Sequence, residues 1–198
     1  DSTTATGGDD IVSVGAGDNV VLGGIGADAV TGTGSATDTD TDTVIGDNGE
    51  VDFVNGGFAG GDATWIASTD SDDSLGGDDT INLGDGTNQV IGGAGSDTVT
   101  GGSGEDQVLG DHGSLTYTSA GQLTDASSSI ESYGAGDQID VGSGDNVIIG
   151  GAGADQITTT GAATDEDIIL GDSGEVVWNL TGTADDSDAT LDLITTAV

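Results

Sequence analysis

Aliphatic residues in this chain are spaced rather than clustered. Val12, Val21, Val30 and Val44 are followed by Ile81, Val90, Val99 and Val108, and then by Ile139, Ile148, Ile157 and Ile169. Most successive members stand nine residues apart, and all twelve are β-branched. Most sit in the middle of a short triplet after a glycine-rich stretch, as in GAGDNVVLG (15–23), GGIGADAVT (23–31), GGAGSDTVT (92–100), GGSGEDQVL (101–109) and GGAGADQIT (150–158). A three-residue strand points its central side chain one way and its two flanking ones the other. The aliphatic eighth position therefore faces inward and builds a narrow core, where β-branched side chains suit the pleat.

A longer period encloses the short one. The turns GDNGE (46–50), GDHGS (110–114) and GDSGE (171–175) begin 64 and then 61 residues apart. They divide one continuous domain, 1–198, into units of approximately 7–75, 76–133 and 134–198, each with four nine-residue coils. After each GDxG turn comes a stretch outside the nine-residue frame: 51–69, 115–133 and 176–198. Each opens as an alternating run with one aromatic (Phe53, Tyr117, Trp178), passes through a Gly/Asp/Ser-rich loop, and closes on a second strand-like run such as TWIAS or TLDLI. These two runs are expected to act as strands five and six of the coil, giving three turns and about 14 Å of rise per unit. The aromatics are expected to plug the core there, and the loop between the runs to protrude.

The ninth position separates the coils into two classes. Coils one and three carry Ser13, Thr31, Asn82, Thr100, Asp140 and Thr158; coils two and four carry Leu22, Ile45, Ile91, Leu109, Ile149 and Leu170. Coils that alternate between two sheets produce this split, with one wettable outer face and one apolar outer face. An apolar stripe of that size calls for a cover. Two covers are open: the unit's own insert, or another chain.

Charge changes the picture more than length does. The chain has 37 Asp+Glu, one His and no Lys or Arg, for a formal charge of -37. Self-repulsion on that scale opposes compaction, so counter-charge has to come from solution. Nothing here neutralises a phosphate, which excludes nucleic acid as a partner, and no apolar run is long enough for membrane insertion. There is no Cys to form a disulfide or act as a nucleophile, and the single His has no Ser/Asp partnership, so no enzyme activity is expected. His112 replaces the third residue of a GDxG turn and reads as an exposed turn residue. The TDTDTDT run at 37–43 reads as a solvated loop.

The sixth position carries the candidate chemistry. It holds Asp10, Asn19, Asp28, Asp42, Asp79, Asn88, Asp97, Asp106, Asp137, Asn146, Asp155 and Asp167, an oxygen donor in every case. The GDxG aspartates Asp47, Asp111 and Asp172 join this set. Glycines ahead of the sixth position permit tight turns and let carbonyls converge. Hard cations such as Ca²⁺ take six to eight oxygens from carboxylates and carbonyls, and turns stacked at strand spacing offer such sets between neighbours. Asn19, Asn88 and Asn146 lower the local charge, which makes their sites the weakest.

The pattern G-G-x-G-x-D-x-U-x, with U a large aliphatic, resembles the RTX (haemolysin-type) nonapeptide repeat, and the resemblance covers most of the chain. It implies an all-β fold, a parallel β-roll (β-solenoid) of three long repeats, each of four nonapeptide coils plus a strand-loop-strand insert. It also implies several bound Ca²⁺ ions, export of an unfolded chain, and folding outside the cell on Ca²⁺. The expected function is a structural segment of a large secreted bacterial surface adhesin or extracellular filament. The alternative is an accessory Ca²⁺-binding module of a secreted protease or lipase. The phase of the repeat at both ends suggests a slice of a longer array, with further copies of the same repeat as partners and the apolar sheet as one open contact surface.

Overall fold

The structure is a computed structural model describing residues 7–33, 39–54, 63–70, 75–129, 134–179 and 190–196. The described residues form eighteen strands and no α-helix, so the protein is all-β. No helix among them is long and apolar enough to cross a membrane.

The twelve aliphatic triplets sort into two parallel sheets, as their ninth positions predict. The first holds β1 (Ile11–Ser13), β3 (Ala29–Thr31), β7 (Thr80–Gly84), β9 (Thr98–Gly101), β13 (Gln138–Val141) and β15 (Gln156–Thr159), in that order. The second holds β2 (Val20–Leu22), β4 (Thr41–Ile45), β8 (Thr87–Ile91), β10 (Gln107–Leu109), β14 (Val147–Ile149) and β16 (Ile168–Leu170), also in order. Register keeps the eighth positions opposite one another: Val12 pairs Val30, Val30 pairs Ile81 and Ile81 pairs Val99 in the first sheet. Val44 pairs Val90, Val90 pairs Val108 and Val108 pairs Ile148 in the second. The two columns meet in one core of Val21, Val30, Val44, Ile81, Val90, Val99, Val108, Ile139 and Ile148. Leu83 and Val141 join it, and Val14 packs against it. These three occupy the first position of each coil two, where the pattern G-G-x-G-x-D-x-U-x has glycine, and the nine-residue reading overlooked them as core.

The inserts do not continue the coil. They form a third, antiparallel sheet from three hairpins: β5 (Gly49–Phe53) with β6 (Ala63–Ser68), β11 (Gly113–Tyr117) with β12 (Leu123–Ser128), and β17 (Gly174–Asn179) with β18 (Thr190–Thr196). Successive hairpins pair edge to edge, β6 with β11 and β12 with β17. Each pass along the chain therefore adds two strands to every sheet rather than six to a coil. The rise per unit is two strand spacings, about 10 Å, not three.

This third sheet lies on the apolar outer face of the second. Ile45, Ile91, Leu109, Ile149 and Leu170 form a second core with Ala63, Ile66, Leu115, Tyr117, Ala126 and Val176 from the hairpins. The cover is thus the chain's own insert, one of the two that the sequence left open, and five of the six outward residues are sealed inside. Leu22 stays 43% exposed. The aromatics plug this core: Tyr117 is buried and donates its hydroxyl to Gln107 Oε1 at 3.2 Å, while Phe53 and Trp178 pack against it.

The hairpin loop of the second insert is a tight turn, with Thr118 N–H donating to Gln122 O at 2.8 Å and Ser119, Ala120 and Gly121 exposed at its tip. The loops expected at 55–62 and 180–189, and residues 34–38 beside the TDTDTDT run, lie outside the described residues. The end of that run enters β4, where Asp42 is buried.

Truncating Leu115, fully buried between the sheets, to alanine is expected to cost about 2–5 kcal/mol. Leu22→Ala, at an exposed site, is expected to stay within about 0.5 kcal/mol. Urea unfolding in saturating Ca²⁺ measures both.

Candidate metal centre

Turns leading into the first sheet stack along one edge of the molecule, and turns leading into the second sheet stack along the other. The sixth positions consequently form two columns of different composition. The first edge carries Asp10, Asp28, Asp79, Asp97, Asp137 and Asp155, all aspartate. The second carries Asn19, Asp42, Asn88, Asp106, Asn146 and Asp167, in strict alternation.

On the first edge each carboxylate uses one oxygen to hold the neighbouring turn. Asp10 N–H donates to Asp28 Oδ1 at 2.7 Å, Asp28 N–H to Asp79 Oδ1 at 2.7 Å, and Asp79 N–H to Asp97 Oδ1 at 2.8 Å. Asp97 N–H donates to Asp137 Oδ1 at 2.8 Å and Asp137 N–H to Asp155 Oδ1 at 3.0 Å. The other oxygen has no partner among the described residues: Oδ2 of Asp28, Asp79, Asp97, Asp137 and Asp155 is buried and unbonded in every case. A Cβ added at Gly23, Gly46, Gly92, Gly110 or Gly150 would collide with that Oδ2 and with the carbonyl oxygen of the next turn, at Gly46, Gly92, Gly110, Gly150 or Gly171. Carboxylate and carbonyl oxygens thus crowd together with no N–H between them, and glycine is required there for space rather than for turn geometry. Buried oxygens of one sign, unbonded and convergent, are costly unless a cation joins them.

The GDxG aspartates add to this edge. Asp47 is 0% exposed and accepts Ala94 N–H through Oδ2 at 2.6 Å. Asp111 is 3% exposed and accepts Ala152 N–H through Oδ2. Oδ1 of both is buried without a partner. Burial, reinforced by neighbouring carboxylates and opposed by backbone N–H groups, pushes these acids up: Asp47 to about 6, Asp79 and Asp137 to about 7, Asp111 to about 8 and Asp97 to about 9. Burial raises Asp155 as well. Asp10 and Asp172, at the two ends of the column, are exposed.

The second edge largely satisfies itself. Asn88 donates to Asp106 Oδ1 from its backbone N–H at 3.0 Å and from Nδ2 at 2.8 Å, and Nδ2 also reaches Gly84 O at 3.2 Å. Asn19 makes the same double contact with Asp42 (3.0 and 2.9 Å), and Asn146 with Asp167 (3.1 and 2.9 Å). Their amides also donate to the turn carbonyls of Gly15 and Gly144. The amide N–H groups occupy the gap between carboxylate and carbonyls. Asp106 Oδ2 is the one buried oxygen of this column without a partner among the described residues, and burial raises that acid to about 7.

An outer row of aspartates, which the nine-residue reading did not single out, ties the turns together. Asp78 Oδ1 accepts Ser96 N–H at 2.8 Å, Asp85 Oδ1 accepts Ser103 N–H at 2.6 Å, and Asp145 Oδ1 accepts Glu166 N–H at 2.8 Å. The GDD and GDN doublets signalled Asp78 and Asp145, while Asp85 stands in GDG. His112 corrects its expectation of an exposed turn residue. It is 4% exposed, and neither ring nitrogen has a partner among the described residues. It lines a cleft of about 400 Å³ with Trp65, Asp70 and Ser114. The third turn residue is drawn inward because its carbonyl accepts Ser129 N–H at 2.8 Å, which pins the root of the hairpin.

Among the described residues no three His, Cys, Asp or Glu side chains converge as a metal-binding group. Each turn supplies one or two carboxylates, and the remaining oxygens close to them are backbone carbonyls. The residues of the first edge fit a hard cation by that donor set.

Comparison with known proteins agrees. The family model of the RTX calcium-binding nonapeptide repeat, in four copies, matches residues 4–35, 73–108 and 133–161. No curated protein and no solved structure matches the chain. The matched segments hold most of the aspartate column of the first edge and leave the hairpins outside. The chain carries RTX calcium-binding nonapeptide repeats.

Proposed function

We propose that the chain is a Ca²⁺-binding structural segment of a secreted bacterial protein, a three-unit parallel β-roll that folds when cations fill its aspartate edge. One observation carries this reading: five stacked turns each bury a carboxylate oxygen that has no donor among the described residues. Asp28, Asp79, Asp97, Asp137 and Asp155 would hold the ions with glycine carbonyls of adjacent turns. The Asn-bearing edge would load less or not at all, since its amides already supply the N–H groups. Cations supply the positive charge that a chain of net charge -37 lacks, and their binding free energy becomes folding free energy.

The regular repetition of the column supports an extending role, as in a surface adhesin or filament, over a single catalytic pair. Extracellular Ca²⁺ is the natural source of the ions, and secretion is typical of RTX proteins. Association with further copies of the repeat would use the end rungs rather than the flank. Ile11 and Leu22 are exposed at one end, and Ile169, Leu191, Leu193 and Ile194 at the other, while the flank is covered.

Circular dichroism in excess chelator is expected to show little sheet, and added Ca²⁺ to restore it; a chain fully folded in chelator overturns the reading. Asp97→Asn is expected to raise the Ca²⁺ midpoint about tenfold, because ligand charge sets affinity. Asp167→Asn, on the exposed end of the amide edge, is expected to stay within about twofold.

The raised acids set a pH dependence. Between the ordinary value of 3.8 and folded values of about 6 to 9, the metal-free native chain binds more protons than the unfolded one. Its stability therefore falls as pH rises through that window. Ca²⁺ must displace those protons, so its midpoint is expected to be higher at about pH 5 than at about pH 9. Ca²⁺ titrations followed by circular dichroism at the two pH values check this.

A further inference from the structure

Three turns of the aspartate edge are interrupted. In an uninterrupted turn the second residue is a glycine with positive φ: Gly24 (105°), Gly93 (119°) and Gly151 (111°). In the interrupted turns that place is taken by Asp47, Asp111 and Asp172. There the chain leaves for the hairpin instead of turning tightly, so the position is free to carry a side chain. In the first unit the chain leaves at Gly46–Asp47 and returns at Gly76–Gly77; in the second it leaves at Gly110–Asp111 and returns at Gly134–Gly136.

Both ends of the excursion meet at the aspartate. A Cβ on Gly76 would strike Asp47, and one on Gly134 would strike Asp111. From the neighbouring rung, a Cβ on Gly93 would strike Asp47 and one on Gly151 would strike Asp111. The carboxylate is thus wedged between the returning chain and the next turn. Its Oδ1 is buried and without a donor, and so is Oδ2 of the aspartate that ends the same interrupted turn, Asp79 or Asp137. The carbonyl oxygen of Gly92 or Gly150 crowds that second oxygen. Asp47 and Asp111 also lie outside the segments matched by the nonapeptide model.

We propose that Asp47 joins Asp79, and Asp111 joins Asp137, in divalent-cation sites at the hairpin roots, where the ion of the rung takes one carboxylate more than in an uninterrupted turn. Filling them joins the two ends of each insert and holds the antiparallel sheet on the second parallel sheet. This rests on the proposed Ca²⁺-dependent folding and adds a second role for the ion. The uninterrupted turns need a cation to stack; the interrupted turns need it also to close a long excursion, whose entropy opposes closure.

The protein carries its own reporter. Both of its tryptophans, Trp65 and Trp178, lie in the hairpin sheet, so indole emission follows that layer while far-UV circular dichroism follows all three. The test is the full-length Asp47→Asn/Asp111→Asn double variant titrated with CaCl₂, with bound ions counted by native mass spectrometry. Asparagine keeps an acceptor for the Ala94 and Ala152 N–H groups, so a purely hydrogen-bonding role would leave emission unmoved. The expected result is an emission midpoint shifted about tenfold upward, a dichroism midpoint shifted by less than about threefold, and the loss of one ion per substituted root. An unchanged emission midpoint, an unchanged ion count, or equal shifts of both signals would overturn the proposal. A wild-type chain whose dichroism ignores Ca²⁺ would instead sink the underlying reading. If the double variant does not fold at any Ca²⁺ concentration, the single Asp47→Asn variant, which leaves the second root intact, decides by the same criteria.

Discussion

Everything in this fold depends on a column of carboxylates that the chain cannot neutralise by itself. Along one edge, each aspartate receives the backbone N–H of the adjacent turn on Oδ1 and leaves Oδ2 buried against glycine carbonyls. The same interaction that sets the rung spacing therefore creates a line of unpaired oxygens. Burying them with no counter-charge is unfavourable, and the upward push of burial on their pKa values expresses that cost. Hard cations seated between the turns would offset it.

The opposite edge shows a second solution to the same problem. Replacing every other aspartate with asparagine puts N–H groups where the first edge has none. The amide then bridges carboxylate and carbonyl within the protein. Two edges of one repeat thus carry different chemistry, because consecutive coils feed opposite edges.

The inserts obey a geometric constraint. Each unit advances the parallel sheets by two strand spacings, and each hairpin widens the antiparallel sheet by two. Parallel and antiparallel strands are spaced alike, roughly 4.8 Å, so the third sheet stays in step with the face it covers. A single strand or a three-stranded insert would fall out of phase within a unit. This commensurability lets Ile66, Leu115, Ala126 and Val176 meet the stripe of Ile45, Ile91, Leu109 and Ile149 without gaps.

Much of this was legible from residue order alone. The eighth-position aliphatics announced the inner core, the ninth positions separated the two sheets, and the sixth positions named the oxygen columns, because a three-residue strand leaves no choice of face for each place. The alternation also foretold that one outer face needed a cover. The path of the inserts was not legible. The run from Val51 to Phe53 alternates whether it joins a coil or a hairpin, and local pattern carries no information about which sheet a strand will pair with. Likewise, Asp47 and His112 sit in a turn that looks exposed in sequence. Only the return of the chain at Gly76, and the fold of the hairpin over its own root, bury them. Sequence alone determined what repeats every nine residues, since that is a matter of local stereochemistry. Tertiary structure decided what the longer excursions do, since that depends on apolar surface exposed by residues far away in the chain.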